Sequence, residues 1–143
     1  MAFWLLNYVP GAAAPAVVFD RVKELLDAGM CQVGDDEPHR DSLAIGDLVL
    51  IYLGAPERVF VGRAEVASPV QRWLPGDLPS PGPGRSGIRV TRVVRWDPPV
   101  AMSAVLARID PANHAKADFD RGVVGITRDE FEATVDAAAA SGP

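Results

Sequence analysis

Residues 46–66, GDLVLIYLGAPERVFVGRAEV, constrain this chain more than any other stretch. Residues 47–53 are apolar on both alternating faces, which predicts a strand covered on both sides rather than one half-open to water. A Gly-Ala-Pro turn follows, and ERVFVGRAEVA at 57–67 then reads as the hairpin partner. Arg63 and Glu65 interrupt that second run and mark the side nearer solvent or ligand. The pair is the expected centre of a sheet, so the remaining segments must supply its flanking strands and its cover.

FWLLNY at 3–8 reads as an opening strand, ended by Pro10 and Gly11. Downstream, Val18, Val22, Leu25 and Leu26 fall on one helical face, with Pro15 suited to the first turn and Gly29 to the stop. A helix over residues 16–28 is therefore expected. MCQV at 30–33 reads as a short strand and GDDEPHRDS at 34–42 as a polar loop. The segment 75–87, PGDLPSPGPGRSG, holds too much Pro and Gly for a regular element and reads as a mobile loop near a ligand entrance. IRVTRVVRW at 88–96 reads as a strand ended by Asp97, Pro98 and Pro99, while residues 101–109 fit helix or strand. GVVGI at 122–126 leads into a helix opened by the capping box of Thr127 and Glu130. This order within one domain, residues 1–143, predicts an α+β fold: a curled, barrel-like sheet with helices packed outside.

Charge limits the modes of binding. A formal net charge of −5 argues against gripping nucleic acid over many phosphates, because that mode depends on Lys and Arg displacing counterions. The charge is uneven, however: seven bases and two acids lie between Arg58 and Trp96, against seven bases and 17 acids elsewhere. All seven central bases are arginine, whose planar fork suits phosphate; the alternative is plain surface decoration. The single cysteine, Cys31, excludes an internal disulfide. MAFWLLNYVP lacks the pattern of a signal peptide, and no apolar run approaches the roughly 20 residues of a membrane helix, so a cytoplasmic protein without membrane contact is expected.

Three segments, FWLLN at 3–7, GDLVLIYLGAPERVFVGRAEVAS at 46–68 and GVVGITRDEFEATV at 122–135, together resemble the EVE domain of the PUA-like superfamily, whose relatives include YTH and ASCH domains. The resemblance implies a small PUA-like β-barrel with a pocket that holds a modified or flipped-out base between aromatic walls. Many EVE domains carry Trp-x-Gly-Val-Arg-Asn beside the pocket; here CQVGDD at 31–36 stands in its place, which makes Cys31 and Gln32 candidate ligand contacts.

Stacking surfaces for a base are worth roughly 1–3 kcal/mol each, and the aromatic candidates are Trp4, Tyr8, Tyr52, Trp73 and Trp96, each weighed against core packing. Trp4 matches the family's opening Trp, and Trp73 follows a strand beside the Pro/Gly-rich loop. Asn7 and Gln32 are the candidate readers of a base edge. Phosphates would meet Arg63, Arg85, Arg89, Arg92 and Arg95. Under strict alternation Arg92 shares a face with Val90 and Val94, so either a bulge re-aims the strand or Arg92 enters the pocket.

Enzyme-like groupings are thinner. Asp35, Asp36, Glu37, His39 and Asp41 match no metal cage and read as a solvated loop, and Cys31 with His39 or His114 lacks a local nucleophile signature. ASCH relatives include amidohydrolases that act on acetylated cytidine through lysine, threonine and an acid. This chain offers only Lys23 and Lys116. The reading is a non-catalytic module that binds DNA or RNA carrying a modified base, with no metal or cofactor. Its alternatives are a small hydrolase acting on a nucleoside-like ligand and a protein-interaction module without ligand.

Overall fold

A computed structural model describes residues 1–8, 14–35, 37–54, 57–81, 86–109 and 122–141. The elements in chain order are β1 (Phe3–Tyr8), α1 (Pro15–Asp27), β2 (Met30–Gln32), β3 (Leu48–Leu53), β4 (Val59–Val66), β5 (Gln71–Arg72), β6 (Ser86–Ala101), α2 (Met102–Leu106), β7 (Val123–Ile126) and α3 (Arg128–Ser141). Short 3-10 turns occupy Arg40–Ser42 and Pro75–Asp77.

The strands form one sheet in the order β2-β6-β4-β3-β1-β7, with β5 added beside β6. β1 and β3 are parallel and the other pairs antiparallel. β3, the doubly apolar run, lies between β1 and β4, and from Val49 to Leu53 every residue is buried. The sheet curls into a half-barrel of the α+β class, with three helices packed on it among the described residues. Inside the curl, Leu6, Val49, Ile51, Val61, Val66 and Ile88 pack with Val22 and Leu26 of α1. Outside it, Leu5, Leu50, Phe60, Val100 and Val124 pack beneath Met102 and Val105 of α2 and Phe131 and Ala137 of α3. Each large aliphatic side chain sealed in this way contributes about 1.5–3 kcal/mol, and the alternation of Leu5 outward with Leu6 inward fixes the register of β1.

The helix starts are local. Thr127 and Glu130 exchange hydrogen bonds, Thr127 N–H to Glu130 Oε1 at 2.8 Å and Glu130 N–H to Thr127 Oγ1 at 3.1 Å, as the capping box requires. Just past α1, Gly29 turns the chain at a φ of +73°, which suits a residue without Cβ, and its carbonyl then accepts Val90 N–H at 2.9 Å to set β2 beside β6.

β6 departs from the sequence reading at both ends. It begins at Ser86, because Ser86 and Gly87 already pair with β5 and Gly87 also with β2; the described residues of the segment 75–87 are a 3-10 turn at Pro75–Asp77, a bend over 78–81 and the head of a strand at 86–87. It also runs past Trp96 to Ala101. Val100 and Ala101 rejoin β4 opposite Phe60 and Val59, and Pro98 and Pro99 fall in the register shift before the Gly62–Arg95 pair, where the ladder needs no donor from them. The Asp97–Pro98 bond is cis. A second shift, between Arg63–Val94 and Glu65–Thr91, contains Arg92 at φ +51°. A bulge thus re-aims this part of the strand and leaves the Arg92 side chain 80% exposed.

Candidate functional site

The half-barrel leaves a seam between its two ends, and a cavity of about 820 Å³ occupies it. Asn7 and Tyr8 from the end of β1, Cys31, Gln32 and Val33 at β2, and Gly122 and Val123 at the start of β7 line it. α1 lies along one side with Val18, Val22, Leu25 and Leu26, and Ser80 and Pro81 approach from the 75–87 segment. Three hydrogen bonds stitch the seam: Tyr8 OH donates to the Gln32 carbonyl at 2.7 Å, Asn7 N–H to the Gly122 carbonyl at 2.8 Å, and Val123 N–H to Glu37 Oε2 at 3.1 Å. Two of these bonds use side chains, Tyr8 OH and the Glu37 carboxylate, to close strand-end backbone groups, which leaves space rather than a continuous ladder.

Glu37 crosses that space between two glycines. A Cβ at Gly122 would collide with both carboxylate oxygens, and one at Gly34 would touch Cγ and Oε1. Arg21 is the cation among the described lining residues, facing Asp20, Glu24 and Glu37. It is engaged already: Nη1 binds Glu24 Oε1 at 2.6 Å and Ser80 Oγ at 3.1 Å, while the Ser80 hydroxyl donates to the same Glu24 oxygen. This triad ties α1 to the segment before residue 82. Burial pushes the Cys31 thiol up to about 12. Burial, with Cys31 and Glu37 nearby, likewise raises the Tyr8 phenol well above its ordinary 10.0. Both groups are therefore neutral walls at physiological pH.

Of the candidate ligand contacts, the cavity brings together Asn7, Cys31 and Gln32, with Tyr8 as its aromatic wall. The others lie elsewhere. Trp4 donates Nε1–H to Asp47 Oδ2 at 2.9 Å and stands 6.1 Å from the His39 ring. Tyr52 packs on Phe60 at 4.8 Å beneath the outer helices, and Trp96 rests against the same cluster. Trp73, 5% exposed, packs with Leu25 and Met30, and its ring occupies the room that a side chain at Gly87 would need. The candidate phosphate contacts Arg63, Arg89, Arg92 and Arg95 do not line the cavity: Arg92 stands 3.8 Å from Glu65, and Arg95 pairs with Asp27 at 2.8 Å. Arg85 and His114 lie outside the described residues. Glu37, read from the sequence as part of a solvated loop, lines the cavity instead; its partner Val123 is 86 residues away and only the two glycines hint at that placement. Among the described residues no three His, Cys, Asp or Glu side chains gather into a metal-holding group.

No family model and no curated protein matches the chain. Solved structures do. A hypothetical protein from Leishmania major aligns with TM-score 0.67 at 15% identity, over 98% of this chain and 96% of its own. The ASCH protein from Zymomonas mobilis aligns with TM-score 0.60 at 11% identity, over 94% of each chain. Human THYN1, solved in complex with DNA containing 5-methylcytosine, aligns with TM-score 0.63 at 12% identity, over 96% of this chain and 98% of its own. The chain has the PUA-like fold of EVE and ASCH domains. The seam cavity is a feature of this PUA-like half-barrel as built here: its polar groups come from three different strand ends, and no single segment carries it.

Proposed function

We propose that this PUA-like domain is a non-catalytic nucleic-acid-binding module that admits one flipped-out, modified base to the seam cavity. The observation that carries the reading is the cavity itself: about 820 Å³, within the range of small-molecule sites, with one aromatic wall at Tyr8 and hydrogen-bonding groups at Asn7, Gln32 and Glu37. The fold it shares with THYN1, a protein solved on DNA containing 5-methylcytosine, supports the same reading. Among the described residues, the hydrolase alternative finds no reactive group at the cavity. Cys31 is held neutral, and Lys23 points away, 3.7 Å from Asp20 and 4.4 Å over the Phe19 ring.

Because the cavity wall is acidic, phosphates are met outside it. Arg92, swung outward by its bulge, and Arg63 and Arg89 on the neighbouring strand positions are the proposed contacts. Two or three contacts to a single strand predict a log–log salt slope of about −1.4 to −2.1, at about 0.7 counterions per phosphate. Fluorescence titration of a short single strand carrying one 5-methylcytosine, at several salt concentrations, measures it. Arg92→Ala should weaken binding and flatten the slope. Tyr8→Leu should weaken binding at an unchanged slope, since stacking releases no counterions. Absence of binding at low salt to modified and unmodified DNA and RNA alike would overturn the proposal.

A further inference from the structure

The stretch from Leu74 to Pro81 is attached to the rest of the molecule at few points. Leu74 N–H donates to Asp77 Oδ2 at 2.8 Å and Asp77 N–H to the Leu74 carbonyl at 2.9 Å, so its first turn closes on itself. Two side chains reach outward from it. Leu78 packs against Trp73, Leu25 and Met30, and Ser80 bonds to α1. The Ser80 hydroxyl donates to Glu24 Oε1 and accepts from Arg21 Nη1, which also reaches the Ser80 carbonyl at 3.2 Å. The other residues of the stretch are exposed, Leu74 among them. Ser80 and Pro81 stand in the wall of the seam cavity, and so do their anchors Arg21, Glu24, Leu25 and Met30. The contacts that hold the stretch down therefore also close that side of the cavity.

Trp73 works against that closure. It directly precedes the stretch and is buried, and its Nε1–H finds no acceptor among the described residues. A buried donor without a partner loses the hydrogen bond it would make to water. We infer that residues 74–81 are a strap that hinges beside Trp73 and gates the seam cavity, with Ser80 as its latch on Arg21 and Glu24. Segments held by few buried contacts open well before the whole chain unfolds, and opening of such a segment is a common way into an enclosed site. Lifting Leu78 returns water to the Trp73 indole and uncovers the wall at Leu25 and Met30. The inference concerns access to the cavity, whatever occupies it, so it stands or falls apart from the base-binding reading.

Cys31 reports on that access. It is the single cysteine of the chain, it is buried and it lines the cavity, so a small neutral thiol reagent, methyl methanethiosulfonate, labels it when the cavity opens. Labelling of the folded protein is followed by mass spectrometry, and exchange of the Trp73 indole N–H by two-dimensional NMR. Ser80→Ala removes the latch hydroxyl and should speed both processes about tenfold, the size of one hydrogen bond to a charged group. Leu78→Ala removes the apolar anchor and should act in the same direction. Trp4 Nε1–H, held by Asp47, should exchange as in the native protein. Thr127→Ala, which loosens α3 on the outer face, should leave Cys31 labelling unchanged. Labelling unmoved in both strap variants would overturn the inference. Faster labelling without faster Trp73 exchange would mean a merely widened mouth, and would overturn it too. So would equal acceleration in Thr127→Ala, or acceleration shared by the Trp4 indole, because either would trace access to unfolding of the whole chain.

Discussion

Asp47 shows how one side chain can hold an edge of this fold. It is buried, and it accepts hydrogen bonds from Ala2 N–H at 3.0 Å, Trp4 Nε1–H at 2.9 Å and Ala44 N–H at 3.0 Å. Burial alone would raise its carboxyl pKa, but these donors outweigh it and hold the group below its ordinary 3.8. A depressed native pKa contributes stability that is complete above the unfolded value and is lost as pH falls through the lower native one. Asp47→Ala should lower unfolding stability in urea by about 3 kcal/mol at neutral pH, because several donors to a charged acceptor lose their partner. A loss near zero would mean that the three donors are satisfied by water. The residue scale is also where the sequence was least legible. Asn7, Cys31 and Gln32 stand together in the cavity, yet nothing local distinguishes Trp4, which serves Asp47, or Trp73, which fills core, from a stacking wall. An aromatic side chain has the same identity in both roles, and only its neighbours separate them.

Elements were easier to read, and the reason is periodicity. Both long helices and the central hairpin follow apolar spacings that burial enforces, and β1, α1, β3 and β4 lie within a few residues of the expected limits. β6 was not legible to its ends, because what extends it is pairing with Val59 and Phe60 of another strand rather than any property of its own Pro-rich tail. β5 consists of two residues and leaves no pattern. Where an element's start is local, its energy should be local too. Thr127→Ala removes the acceptor for Glu130 N–H and should cost about 1 kcal/mol in thermal or chemical unfolding, with binding unchanged, since α3 lies on the outer face away from the cavity. A binding defect in that variant at full occupancy of the folded state would indicate that the outer face takes part.

At the scale of the whole molecule, the arrangement separates two chemistries that the sequence had grouped. Arg63 stands on β4 and Arg89, Arg92 and Arg95 on β6, away from the cavity between β1, β2 and β7, whose described lining holds three acids and one arginine. For a base-binding module this division is coherent: a neutral, donor-rich base enters the acidic seam and the few phosphates remain outside, where Arg92 is most exposed. Under the proposed function, a protein with a net charge of −5 would meet a polyanion through few contacts only. A titration of the isotope-labelled protein with a short single strand carrying one 5-methylcytosine, followed by two-dimensional amide NMR, locates the ligand directly. The account predicts that the largest shifts fall at Tyr8, Gln32, Glu37 and Val123, with smaller ones around Arg92 and little change along α3. Large shifts confined to α3 and the outer face, with the seam amides unmoved at saturation, would contradict it.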